Sequence, residues 1–288
     1  MYPEVQSMTG STVASEYLKS ADGLRLHITR WDVPEPFGAL LVVPGKGEHG
    51  GRYGKLAAEL AGCGWRTWGL DPRGQGLSDG PRSQIESYDE FLADTGTALE
   101  ALGRECPGRP VVVLGYSMGA VTGVLAALRW PDRVQGLICV SPAFVIDNRL
   151  RGLAKVFAYL GSWLFAQSIV ASGYNPTAVT NCPLEQQRIA ADPLIDGTTR
   201  PRLVVELHKA GAQCLRLAPQ LAIPALILAT PFDRIVDARG AQTFYDRLPG
   251  DRTIHWYDDQ LHDLLHERRS AEVTGEIAGW LRERWPGA

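Results

Sequence analysis

Short apolar runs alternate with segments of helical period along most of this chain. Residues 24–31 alternate apolar and polar as a strand does, and 39–43 form a continuous apolar run closed by Pro44-Gly45. Further runs at 65–70, 111–114, 137–140, 225–229 and 253–257 predict buried strands. Between them, 53–60, 88–102, 118–129 and 238–248 carry helical spacing, and a last helix runs to Trp280-Leu281. In 88–102 the repeat is Phe91, Leu92, Thr95, Leu99 and Leu102, and Pro131 stops the helix over 118–129. Such a β–α–β rhythm predicts a mainly parallel sheet wrapped by helices.

The rhythm breaks between Ser141 and Ile223. That stretch reads as helical, punctuated at Asn175-Pro176, Cys182-Pro183, Asp192-Pro193 and Arg200-Pro201. It predicts a helical cap over 142–222, inserted between a first core part, 1–141, and a second, 223–288. Within the cap, Leu153, Phe157, Leu160 and Leu164 fall on one helical face, with Trp163 and Phe165 beside it. A face packed on the core above an apolar pocket is expected, with transient contact to a membrane surface as the sharper alternative.

Composition narrows the class. A 288-residue chain with 45% hydrophobic and 21% charged residues is ordinary for one large globular unit. A net charge of −3 gives no footing for nucleic acid. Five scattered Cys form no CxxC and no Cys/His cluster, which argues for a reducing compartment and against a zinc site or disulfide framework. The N-terminal residues carry no apolar signal region, and no run of 18 apolar residues occurs, so a soluble cytoplasmic protein is expected.

Gly115-Tyr116-Ser117-Met118-Gly119 stands between the run at 111–114 and the helix over 118–129. A GxSxG alone is weak, but strand–turn–helix is the setting a nucleophile elbow requires. The positions two before and two after the serine must lack side chains where strand and helix nearly touch. A serine hydroxyl attacks only when a base takes its proton, so an acid and a histidine should follow downstream. Asp233, just past the strand at 225–229, is the leading acid; Asp237 is better placed to cap the helix from 238. Among later histidines, His255 falls inside a strand pattern, His262 hangs in the loop after it, and His266 is the reserve. Negative charge developing on a substrate oxygen needs fixed donors, here the backbone N–H groups of Met118 and Lys46. The Lys46 side chain is expected to face solvent, with an orientation toward the acyl site as the alternative.

Together these residues resemble the monoacylglycerol lipase and lysophospholipase branch of the α/β-hydrolases. The stretch from Gly45 to Tyr53 is similar to that branch's GxGEHSGRY signature, and Asp71 to Gly80 to its DxRGHGxSxG segment. Gly115–Gly119 resembles its elbow, Phe232 to Asp237 its acid loop, and His262 to Glu267 its HELLNE. The resemblance implies an α/β-hydrolase fold, with a mostly parallel eight-stranded sheet and an inserted cap. It also implies a Ser117–Asp233–His262 triad, an oxyanion hole of Lys46 and Met118, and no metal or organic cofactor. The expected partner is a lipid or small-molecule ester. Glu48, His49, Arg52 and Tyr53 are read as shaping their loop. Three departures bear on substrate choice: Pro44 where the family has His, Lys46 where it has a small residue, and Gln75 for His. A small-molecule carboxylesterase, an acyltransferase, an amidase or peptidase, and a non-catalytic ligand-binding relative remain the alternatives.

Overall fold

The computed structural model describes residues 12–146, 161–162, 165, 168–169 and 174–286. Eight strands form one sheet: β1 Thr12–Lys19, β2 Arg25–Asp32, β3 Gly38–Val43, β4 Trp65–Leu70, β5 Val111–Tyr116, β6 Gly136–Val140, β7 Ala225–Ala229 and β8 Arg252–Trp256. Their order is β1-β2-β4-β3-β5-β6-β7-β8. The pairs β1–β2 and β2–β4 are antiparallel; every other pair is parallel.

The central strands are buried on both faces because helices cover both. In β3, Ala39, Leu41 and Val43 enter one core while Leu40 and Val42 enter the other, as the period of two demands. Helices α1 Gly54–Ala61 and, at the far end of the chain, Ser270–Arg284 close one face through Leu56, Leu60, Ile277 and Leu281. The other face is closed by α2 Asp89–Glu105 and α3 Met118–Arg129, through Phe91, Leu99, Val121 and Val124. Fully burying one such side chain contributes roughly 1.5–3 kcal/mol.

Between β6 and β7 the described residues include α4 Pro176–Val179, α5 Pro183–Ala191 and α6 Pro201–Leu217. Each begins on a proline, whose fixed φ and missing N–H suit the first helical position. Three of the four punctuation marks in the sequence are thus helix starts. Asp192-Pro193 follows the end of α5. The predicted apolar face of Leu153, Phe157, Leu160 and Leu164, with Trp163 beside it, lies outside the described residues. Phe165 lies within them and is exposed. Helix α7 Arg239–Arg247 joins β7 to β8, and the C-terminal helix Ser270–Arg284 is α8. No helix among the described residues is long and apolar enough to cross a membrane.

Strand β1 is absent from the sequence expectation for a physical reason. It is an edge strand whose side chains are exposed or half-buried, so it carries no core-facing alternation. Its pairing with β2 holds it, from Thr12 opposite Asp32 to Lys19 opposite Arg25.

Candidate functional site

Ser117 follows β5, Asp233 follows β7, His262 follows β8 and Lys46 follows β3, so all four gather at the carboxyl edge of the parallel strands. Ser117 sits at φ 53° and ψ −112°, a sparsely populated conformation for a residue with a side chain. Such geometry costs of order 1–3 kcal/mol and persists because the surroundings fix it. Its N–H donates to Val140 O at 2.9 Å, and its carbonyl accepts from Ala143 N at 3.1 Å. A Cβ on Gly115 would lie 2.3 Å from Gly119 O, and one on Gly119 would lie 1.9 Å from Val43 O. The two glycines of the motif are therefore steric requirements. They let the strand, the helix and the start of the 44–47 loop touch.

The structure brings Ser117, His262 and Asp233 into one line. His262 Nε2 lies 2.9 Å from Ser117 Oγ, and its Nδ1 lies 2.6 Å from Asp233 Oδ2. The other Asp233 oxygen accepts the N–H groups of Ile235 at 2.8 Å and Val236 at 3.0 Å, which aims the carboxylate. The His262 carbonyl accepts from Ser141 Oγ at 2.6 Å, and its ring packs against Tyr116 at 5.1 Å between centroids. Thr230 Oγ1 donates to Gln260 O at 2.8 Å, tying the end of β7 to the histidine loop. Such an arrangement can draw the proton from the serine hydroxyl while the carboxylate holds the imidazole tautomer.

Asp237 serves its helix instead, its carboxylate accepting from Arg239 N at 3.0 Å. His255 pairs with Glu276 at 2.9 Å on the far strand. His266 does not reach Ser117; it belongs to a second cluster.

That second cluster is buried and ionic. Arg52 bonds Glu48, and reaches Glu185 and Asp263 at 2.8 Å each. His266 Nδ1 lies 2.7 Å from Asp263 Oδ1, and its Nε2 lies 3.1 Å from the Arg52 carbonyl. Burial pushes the Asp263 carboxyl up, but His266 and Arg52 outweigh it and hold the group well below the usual carboxylate range. Burial pushes His266 down, and Asp263 outweighs that too, so its pKa is raised. Burial leaves Glu48 raised despite Arg52. Glu185, Asp263 and His266 come close enough to hold a metal ion. The Arg52 guanidinium already supplies a cation to both of those carboxylates.

Residues 45–53 also bind the segment between β6 and β7. Tyr174 OH donates to Glu48 at 3.3 Å, His49 Nε2 lies 2.9 Å from Asp192, and Arg52 reaches Glu185. Their role extends beyond shaping their own loop. The Lys46 side chain overturns its expectation: it turns away from solvent, and Nζ donates to Thr198 O at 2.9 Å and Thr199 Oγ1 at 3.1 Å. Burial lowers its pKa, partly offset by Asp196. Gln75 accepts the Gly47 N–H through Oε1, a loop-ordering role that its place in the sequence did not disclose. The N–H of Met118 opens α3 and so has no partner within the helix. A cavity of about 220 Å³ lies over the serine, lined by Ser117, His262, Lys46, Tyr116, Val179 and Ile235 among others.

Comparison with known proteins places the chain in a family and a fold. The sequence profile of the family described as serine aminopeptidase, S33, matches residues 34–269. Human monoglyceride lipase is 28% identical over 275 residues, spanning 93% of this chain and 90% of that protein. Monoacylglycerol lipase of Mycolicibacterium smegmatis is 25% identical over 279 residues, spanning 95% and 99%. In fold, the chain is similar to a soluble variant of Saccharomyces cerevisiae monoglyceride lipase bound to a substrate analogue. The TM-score is 0.84 at 19% identity, covering 98% of both chains.

Proposed function

Because this chain belongs to the serine aminopeptidase family of α/β-hydrolases, we propose that it hydrolyses carboxylic esters of acyl lipids, with Ser117 as nucleophile. The observation that carries the reading is the unbroken line from Ser117 Oγ through the His262 ring to Asp233, opening on a cavity. Relatives named as monoglyceride or monoacylglycerol lipases align over nearly the whole chain and support an acyl-lipid substrate. Exposed Phe232 beside Asp233 and partly exposed Ile235 on the cavity rim offer apolar surface to such a substrate.

In this reading, Ser117 attacks the ester carbonyl as His262 takes its proton, and Asp233 stabilises the imidazolium. The backbone N–H groups of Met118 and Lys46 receive the oxyanion, each donor being worth on the order of 10²–10³ in rate. His262 returns its proton to the leaving alcohol, then draws one from water, whose oxygen attacks the acyl-enzyme; that proton passes from His262 to Ser117 Oγ as the bond to the acyl carbon breaks and the fatty acid is released. Residues 142–222 act as a cap over the acyl chain, and no cofactor takes part.

The test is turnover of p-nitrophenyl esters of increasing chain length and of monoacylglycerols, beside a Ser117→Ala control. Activity peaking at medium or long chains and lost in the control is the expected result. Activity confined to acetate and butyrate would keep the serine mechanism and replace the lipid substrate with a small ester. No turnover and no labelling of Ser117 by a fluorophosphonate would overturn the enzyme reading and favour a binding protein.

A further inference from the structure

Burying a lysine ammonium costs desolvation and the freedom of a long side chain, so its position needs a reason. Lys46 meets both costs beside Ser117. Its Nζ donates to Thr198 O at 2.9 Å and Thr199 Oγ1 at 3.1 Å, with Gly197 O at 3.5 Å. Gly47 meets the same stretch from the main chain. Its carbonyl accepts from Asp196 N at 2.8 Å, and a Cβ on it would stand 2.0 Å from Asp196 O. Residues 196–199 are in turn held against the core. Ser83 Oγ donates to Thr198 O at 2.5 Å, and Arg200 Nε donates to Arg82 O at 3.0 Å. The 45–47 loop is thereby clamped at two adjacent residues to one short, anchored segment.

The clamp falls where stiffness matters. The loop turns on Gly45 and Gly47, the latter at φ +78°, and glycine backbone has little rigidity of its own. Between them lies the Lys46 N–H, the donor that the ester-hydrolase reading assigns to the oxyanion. A donor must already stand where charge will develop, and a shift of about 1 Å can cost around 100-fold in rate.

We propose that the Lys46 side chain is a positioning group: by tying the loop to residues 197–199 it fixes its own backbone N–H in the oxyanion site. Residues 196–199 are then part of the catalytic architecture as well as a wall of the cavity. The inference rests on the ester-hydrolase reading.

Lys46→Met keeps the stem and the backbone N–H while removing the ammonium. The expected result is a fall in kcat of about 10–100-fold with KM on the same ester held within a factor of ~3, because the lost interaction acts in the transition state. Fluorophosphonate labelling of Ser117, whose phosphonyl oxygen needs the same donors, should slow in parallel. Lys46→Arg, which keeps a cationic donor at that end, should recover most of the rate. Thr199→Val removes one acceptor outside the loop and should give a loss of a few-fold in the same sense; it carries the test if Lys46→Met does not fold. Unchanged kcat in Thr199→Val and in folded Lys46→Met, or a loss confined to KM, overturns the proposal alone. A wild type without Ser117-dependent turnover or labelling overturns the ester-hydrolase reading, and the proposal falls with it.

Discussion

Two histidines stand four residues apart in one loop, and each meets an aspartate at nearly the same distance. His262 meets Asp233 at 2.6 Å and His266 meets Asp263 at 2.7 Å. Spacing therefore does not separate them; the second ring nitrogen does. His262 Nε2 faces the Ser117 hydroxyl, which can give it a proton, so a neutral ring can accept there. His266 Nε2 faces a backbone carbonyl, which only accepts, and Nδ1 faces the Asp263 carboxylate with Arg52 Nη2 at 3.4 Å, surroundings that favour the charged ring. The raised pKa of His266 agrees with that. One pair is built as a candidate base, the other as a cation in a buried salt-bridge cluster that fastens the 174–185 segment to the core.

The sharpest way to break the comparison is to neutralise each acid. Asp233→Asn should leave the geometry and lower kcat by about 10⁴-fold through the wrong tautomer, measured on the preferred ester with Tm as a control. A loss of only a few-fold would put the two pairs on the same footing. The opposite signature is expected from Arg52→Leu. Removing that guanidinium leaves Glu48, Glu185 and Asp263 buried without its charge, at about 3–5 kcal/mol of stability by denaturant unfolding.

A smaller effect separates the pairs by pH. His266 has a folded pKa raised above 6.5, so its stabilisation is complete below about that pH and is lost as pH rises through the raised value. Asp263 is held below 3.8, so its share is present above that pH and is lost as pH falls through the depressed value. Thermal unfolding between about pH 6 and 9 should therefore show Tm falling on the alkaline side in the wild type and flattening in His266→Gln. Smallest of all, Asp237→Ala should cost at most about 1 kcal/mol from the lost bond to the Arg239 N–H, since Ala238 and not Asp237 holds the cap position of α7, read as a small Tm shift with kcat unchanged.

The parallel core was legible because strands such as β5 and β7, buried on both faces, appear as unbroken apolar runs. The elbow was legible because Gly115 and Gly119 are forced by contacts shorter than any Cβ allows. Strand β1 was not, since pairing without burial leaves no pattern. The destination of Lys46 was not either. Its partners lie about 150 residues away in a segment of turns, and nothing in either stretch announces the other. For Arg52, the only local sign was Glu48 four residues earlier; Glu185 and Asp263 arrive through the fold.

The most direct test of the division between the two histidines is the rate of fluorophosphonate labelling of Ser117 in the wild type, His262→Gln and His266→Gln under one set of conditions. The account predicts that labelling nearly vanishes in His262→Gln and persists in folded His266→Gln. Labelling retained in His262→Gln and lost in folded His266→Gln would contradict it.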